Sequence, residues 1–312
     1  MGDTMKIFDL HCDTIYKFVE ETSDYSLKNN NGHISEQGLI VGDYTALCLA
    51  IYQPTRIKGE DGFDFYNAQY KRFLQTVENS DTLDFAKTKT EILKNQEKQK
   101  VSAILTIENS DFLNNDIQRL DVIRNSGARI LGIIHNEENC LGYPNSNDKN
   151  LDILSLKPFG KEVIDRLNCT DIFADVSHLN CGGFKCVAEI SKKPFIATHS
   201  CCRDVFEHPR NLYDSQIKTI ANSGGIVGVN FWSKTLNGSN KTEIEDIILH
   251  LEHLINVGGE DIAAIGTDFD GMSSEISIKG AKDMQIFADS LIKKFGFNLA
   301  EKICYKNALK LF

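Results

Sequence analysis

Lys6-Ile7-Phe8-Asp9-Leu10-His11-Cys12-Asp13 is a short apolar run that ends in an imidazole and a carboxylate two positions apart. Side chains of a β-strand alternate between its faces, so His11 and Asp13 share one face and Cys12 takes the other. A buried strand that stops at an oriented nitrogen and oxygen is half of a transition-metal site. A plain His–Asp hydrogen bond is the competing reading of the same pair.

Seven more apolar runs follow, over residues 44–52, 101–108, 129–135, 171–178, 194–199, 225–231 and 262–269. Several are apolar almost throughout, as expected of parallel strands covered on both faces. Between them lie helix-compatible amphipathic stretches at 63–78, 116–126, 160–168, 182–192, 214–223 and 242–257. Gly224-Gly225 and Gly258-Gly259 follow two of these, where glycine ends a helix at little steric cost. Eight strand–helix alternations predict a closed (β/α)8 TIM barrel, with residues 1–312 forming one catalytic domain. An open doubly wound sheet is disfavoured because no glycine-rich phosphate loop follows the first strand.

Composition narrows the function classes. A formal net charge of −10 argues against nucleic acid or an anionic membrane as a partner. The N-terminus lacks the pattern of a signal peptide, no apolar run is long enough for a bilayer, and the end at Phe312 carries no hydrophobic tail. The nine cysteines are odd in number and irregular in spacing. Cys12, Cys48 and Cys304 fall in apolar patterns as small core residues, and the set predicts a soluble protein of a reducing cytoplasm.

Ligand-type residues recur where the predicted strands stop: His11 and Asp13, Glu108, His135, His178, His199 and Asp268. In a parallel barrel all C-terminal strand ends open onto one mouth. Four histidines and three carboxylates at one rim are hard to satisfy without cations. Imidazole and carboxylate without thiolate suit Zn²⁺, with Mn²⁺ or Co²⁺ as substitutes. Five ligands exceed the needs of one open catalytic zinc and suffice for two that share a carboxylate. Such a pair binds a bridging water and makes it nucleophilic, which is hydrolytic chemistry.

The pieces Asp9-Leu10-His11-Cys12-Asp13, Ile107-Glu108, His135-Asn136, Asp175-Val176-Ser177-His178, Thr198-His199-Ser200, Arg210-Asn211 and Gly266-Thr267-Asp268-Phe269-Asp270-Gly271, in this order, resemble the membrane (renal) dipeptidase family, peptidase family M19. The resemblance runs to the terminal stretch 307–312. It implies two Zn²⁺ per chain, one on His11 and Asp13, the other on His178 and His199, with Glu108 bridging. It further implies that His135 contacts the substrate near the scissile carbonyl and that Arg210 holds the C-terminal carboxylate of a dipeptide. Asp268 would take the proton of the attacking water and deliver it to the leaving amine. A homodimer is implied in the same way.

The residue types suit these roles. A tetrahedral intermediate needs positive charge at the developing oxyanion, and a guanidinium meets a carboxylate through two parallel hydrogen bonds. Two departures stand out: Asn109-Ser110 replace glycines common after the bridging glutamate, and Tyr305-Lys306 replace glycine near Asn307. Elsewhere Asp270 reads as structural and His208 as a local orienter of the arginine loop. His250 and His253 read as an outer helix face, and His33 has no assigned role. The alternatives are a related binuclear amidohydrolase acting on N-acyl amino acids, lactams or phosphoesters, and a non-catalytic metal-binding barrel. Against the carbamylated-lysine amidohydrolases, no strand end carries a lysine at the mouth; against nucleoside deaminases, strand one carries His then Asp rather than two histidines.

Overall fold

A computed structural model describes residues 4–20 and 26–312. Its strands are β1 (Ile7–Cys12), β2 (Tyr44–Tyr52), β3 (Val101–Glu108), β4 (Ile130–Gly132), β5 (Phe173–Asp175), β6 (Val227–Val229) and β7 (Ala263–Ile265). All pair in parallel, in the spatial order β5-β4-β3-β2-β1-β7-β6. Single parallel bridges Asp175↔Ile196 and Ala197↔Val227 join the two ends, so residues 196–197 are the eighth stave and the ring closes. The expected barrel is therefore present, with a short extra strand, Leu83–Phe85, paired on the first half of β3.

The stretch 194–199, expected as a full strand, contributes only those bridges. Pro194 has no N–H to give, and the Thr198 N–H goes to the Asp175 side chain rather than to a ladder carbonyl. The long central strands are buried at every position or nearly so, which is why they read as continuous apolar runs. Phe8, Leu10, Ala46, Cys48, Ile104, Ile130, Ile196, Ile226 and Ala264 form one cluster drawn from around the ring and fill its interior. A larger apolar layer packs between the staves and the outer helices.

The principal helices are α1 (Thr14–Glu20), α2 (Glu36–Val41), α3 (Gly59–Glu78), α4 (Lys89–Glu97), α5 (Gln118–Ser126), α6 (Pro158–Leu167), α7 (Cys181–Ile190), α8 (Asp214–Asn222), α9 (Ile244–Gly258) and α10 (Met284–Phe295). Their ends follow local chemistry. Thr88 and Glu91 form a capping box before α4, Pro158 opens α6, and the Asn180 side chain accepts from Gly183 N at the start of α7. Gly224 and Gly259 take positive φ just after α8 and α9, as the glycine pairs suggest. No helix among the described residues is long and apolar enough to cross a membrane.

Pairing of β1 with β2 contains the feature that orients the mouth. Asp9 pairs with Leu47 and Cys12 with Leu49, so Leu10 and His11 together oppose Cys48. This is a bulge with one extra residue on β1. Alternation counted from inward-facing Phe8 would send His11 outward; the extra residue returns it to the inside. His11 and Asp13 do share one face, and Cys12 packs into the outer apolar layer.

His250 departs from the sequence expectation. It is fully buried, not on an outer face. Its Nδ1 accepts from Cys202 N and its Nε2 bonds Leu236 O. The loop after residue 199 and the turn after 233 cover that side of α9, so the helix has no solvent face there. His253 is half-buried and pairs with Asp214 at 2.7 Å.

Candidate metal centre

The mouth gathers every strand-end residue singled out above. Glu108, at the end of β3, stands at the centre. Its Oε2 lies 3.7 Å from His11 Nε2, while its Oε1 lies 3.2 Å from His178 Nε2, 3.5 Å from His199 Nε2 and 3.9 Å from His135 Nε2. His11 Nε2 is 3.4 Å from Asp13 Oδ2. Ligand atoms converge in three overlapping groups: His11, Glu108 and His199; Glu108, His135 and His178; His11, Asp13 and Asp268. Glu108 thus turns one oxygen toward His11 and the other toward the histidines of the far side.

The donor set fits cations. His11 Nε2 and Asp13 Oδ1 are buried without a hydrogen-bond partner. His178 Nδ1 faces Asn136 Oδ1 at 2.9 Å, and an amide oxygen only accepts, so the proton sits on Nδ1. That leaves a bare lone pair on His178 Nε2, only 2.9 Å from His199 Nε2 and close to a carboxylate oxygen. A cation placed between them could take lone pairs from both rings and from the carboxylate oxygen. Nitrogen and oxygen donors without thiolate match a borderline metal such as Zn²⁺.

The electrostatics agree. Burial and the adjacent Asp13 push Glu108 well above the usual carboxylate range, and the same causes raise Asp268 to about 7. Burial opposes protonation of His11, but Asp13 and Glu108 outweigh it and lift the ring to about 10. Burial, with Arg210 nearby, holds His178 and His199 well below their ordinary value and His135 at about 4. Cations among these groups would favour ionised carboxylates and neutral imidazoles.

Part of the backbone strain of the chain lies here. His178 (φ 67°), Asp268 (φ 61°) and Asn109 (φ 65°) lie in the left-handed region, which costs non-glycine residues about 1–3 kcal/mol each. Gly271 has a different constraint: a Cβ there would stand 2.1 Å from Asp13 Oδ2 and 2.6 Å from Asp268 Oδ1.

Above the cluster is a cavity of about 420 Å³ lined by Tyr16, Tyr52, His135, Asn145, Arg210, Trp232, Asp268 and Met272, among others. Arg210 is buried; its NH2 donates to His199 O, whereas its NH1 has no partner. His208 Nδ1 accepts from Arg210 N, in keeping with a local orienting role. A larger cavity, about 610 Å³, opens at the opposite end of the barrel beside Arg129, Lys193 and Asn307. It holds none of the strand-end chemistry, and Lys193 there is bound to two backbone carbonyls.

Several site residues escape a reading of sequence motifs. Asn230 Nδ2 donates to Asp268 Oδ2 at 3.1 Å, and Tyr52 OH is 3.3 Å from His135 Nδ1. Asp270 is structural, as expected: it accepts from Thr14 Oγ1 and His33 N, and Lys17 Nζ lies 3.5 Å away. His33 has a place after all, since its Nδ1 accepts from Asp270 N and its ring stacks on Phe269. Asp9 and Asp175 each clasp a neighbouring strand end through a threonine, Thr267 and Thr198. The signal for these clasps is the threonine directly before Asp268 and His199.

A closed α/β barrel with imidazoles around a shared carboxylate at its C-terminal mouth is the architecture of a metal-dependent hydrolase. A profile of the membrane dipeptidase family, peptidase family M19, matches residues 1–312, and the chain belongs to that family. It is a metal-dependent hydrolase acting on dipeptides.

Among solved structures, a metallopeptidase of Rhodobacter sphaeroides bound to a phosphinate mimic of the dipeptide L-Ala-D-Ala is 25% identical. It superposes with a TM-score of 0.92 over 99% of both chains. A second M19 metallopeptidase, dipeptidase AC, is 26% identical with a TM-score of 0.92, over 99% of this chain and 98% of its own. An uncharacterised Klebsiella pneumoniae protein is 31% identical over 57% of this chain and 68% of its own length. An uncharacterised dipeptidase of Schizosaccharomyces pombe is 27% identical over 62% of this chain, a match that spans 47% of the yeast protein.

Proposed function

We propose that the chain cleaves small dipeptides bearing a free C-terminal carboxylate, with two Zn²⁺ held by His11, Asp13, Glu108, His178 and His199. The observation that carries this reading is Glu108, whose two oxygens face His11 on one side and His178 with His199 on the other. When bound, such ions polarise a carbonyl and lower the pKa of water toward about 7.

The chain's own residues do the rest. Arg210, buried and with an unpartnered NH1, takes the substrate carboxylate and sets which end of the dipeptide enters first. His135 places a ring N–H beside the carbonyl oxygen as it gains charge. Tyr52, against the other ring nitrogen, steadies that imidazole. Asp268 accepts the proton of the attacking water and passes it to the departing amine nitrogen. Asn230 holds one oxygen of Asp268 and leaves the other for this exchange. The cavity of about 420 Å³ suits a dipeptide rather than a long chain.

Nine free thiols support a reducing cytoplasm, and closure of the ring between β1 and β7 supports one catalytic domain over 1–312. A homodimer rests on the family resemblance alone. The test is a panel of L,L and L,D dipeptides beside N-acyl amino acids, on zinc-loaded and chelator-treated protein. Dipeptide hydrolysis that is lost on chelation and restored by Zn²⁺ is expected. Full metal occupancy without turnover of any dipeptide would overturn the reading; turnover of acyl amino acids alone would favour the amidohydrolase.

A further inference from the structure

We infer that Asp175 and Thr198 are positioning residues that fix the tautomer of His199, so that its Nε2 presents a lone pair to the ion shared with His178. The inference rests on the reading of His178 and His199 as ligands given above. It begins with the hydrogen-bond inventory around one hydroxyl.

Asp175 Oδ1 accepts two backbone N–H groups, from Ser177 at 2.9 Å and Thr198 at 3.0 Å. Its Oδ2 lies 2.5 Å from Thr198 Oγ1, the separation of a charge-assisted O–H···O bond. Thr198 has a single hydroxyl hydrogen, and that contact uses it. Thr198 Oγ1 also lies 2.9 Å from His199 Nδ1. With its hydrogen committed to Asp175, the oxygen can only accept there. His199 therefore carries its proton on Nδ1 and leaves Nε2 bare.

The remaining neighbour is consistent. Ser177 Oγ accepts from His199 N at 3.2 Å and sits 3.5 Å from Thr198 Oγ1, where it has a hydrogen to give and no claim on the threonine's own. Asn136 sets the same tautomer on His178 by a shorter route. The two imidazoles thus reach the ion site through unlike supports: one amide, and one carboxylate–hydroxyl relay. Groups behind a ligating histidine typically govern metal affinity by 10–100-fold.

Asp175→Asn is the discriminating change, because it alters hydrogens and not size. The carbonyl of the introduced amide must still accept the two backbone N–H groups, so its NH2 turns to Thr198 Oγ1. The hydroxyl then points its hydrogen at His199 Nδ1, and the proton of the ring moves to Nε2.

The experiment uses the full chain. Histidine ¹⁵N spectra of the metal-free protein near pH 8 report the tautomer of the His199 ring. The expected result is Nδ1–H for His199 in the unchanged chain and in Thr198→Ser, and Nε2–H in Asp175→Asn. In chelator-competition titrations with Zn²⁺, Asp175→Asn and Thr198→Val should weaken one binding step by roughly 10–100-fold and leave the other unchanged. Thr198→Ser should bind as the unchanged chain does. An Asp175→Asn protein that keeps the Nδ1–H signal and both affinities overturns the inference, as does equal weakening of both steps by Thr198→Val. Should Asp175→Asn fail to fold, the Thr198→Val and Thr198→Ser pair decides on the same readouts. A failure of the unchanged chain to take up Zn²⁺ would sink the two-ion reading, while the tautomer spectra would still judge this one.

Discussion

Thr267 Oγ1 donates a 2.6 Å hydrogen bond to Asp9 Oδ2 across 258 positions of sequence. Asp9 Oδ1 accepts Thr267 N and His11 N as well. The same arrangement holds between Asp175 and Thr198. In both, a buried carboxylate near the end of one strand captures the backbone and hydroxyl of a threonine on the next, and the residue after that threonine belongs to the site.

Loss of the first clasp should therefore loosen the barrel where its first and last strands meet. Thr267→Val leaves a buried carboxylate oxygen without its donor and should cost about 1–3 kcal/mol of stability. Thr267→Ser should keep most of it. Urea denaturation of the three proteins is the check, and equal midpoints would show that the hydroxyl contributes nothing.

Arg210→Ala removes the buried guanidinium proposed to meet the substrate carboxylate. A charged hydrogen bond contributes about 1.5–3 kcal/mol, so KM for dipeptides should rise roughly 10–100-fold. KM for C-terminally amidated substrates should barely change. Steady-state kinetics on matched pairs of substrates reads the difference; equal loss on both would remove Arg210 from that role.

Gly271→Ala should be far more damaging than its size suggests. The new methyl would overlap Asp13 Oδ2 and Asp268 Oδ1, so one carboxylate must leave the cluster. Metal content by elemental analysis and dipeptide turnover should both fall at least about tenfold, while the circular dichroism of the barrel persists.

His250 supplies a pH-dependent term away from the site. Burial holds this imidazole down at about 4, against 6.5 in an open chain. Between those values the unfolded chain binds a proton that the folded one refuses, so stability rises with pH across about 4 to 6.5 and is level above. The full term is about 3 kcal/mol. His250→Gln should flatten the slope of unfolding free energy in that window, and an unchanged slope would show that the ring titrates freely.

What the sequence made legible was the chemistry at strand ends. A continuous apolar run betrays a strand buried on both faces, and a ligand-type residue at its last position stands out against it. Glu108, His135, His178, His199 and Asp268 are recognisable on those grounds, and the structure brings them together. The placement of His11 is another matter. Period-two alternation cannot reveal an extra residue, and the bulge at Leu10 and His11 appears only once the register against Cys48 is known.

His250 was hidden for a related reason. Whether a polar residue on a helix meets water depends on what crosses that helix, here the backbone at Cys202 and Leu236. The shortened stave at 196–197 likewise follows from a side chain, Asp175, taking an amide that a ladder would have used.

The bond between Asp9 and Thr267 also bears on how the molecule comes into being. His11 and Asp13 lie near the start of the chain, and the group that secures their strand end is supplied close to its finish. No emerging fragment can own a complete mouth, however well its early staves have paired. The last part of that rim, Asp268 with the threonine before it, is supplied only when the closing strand arrives.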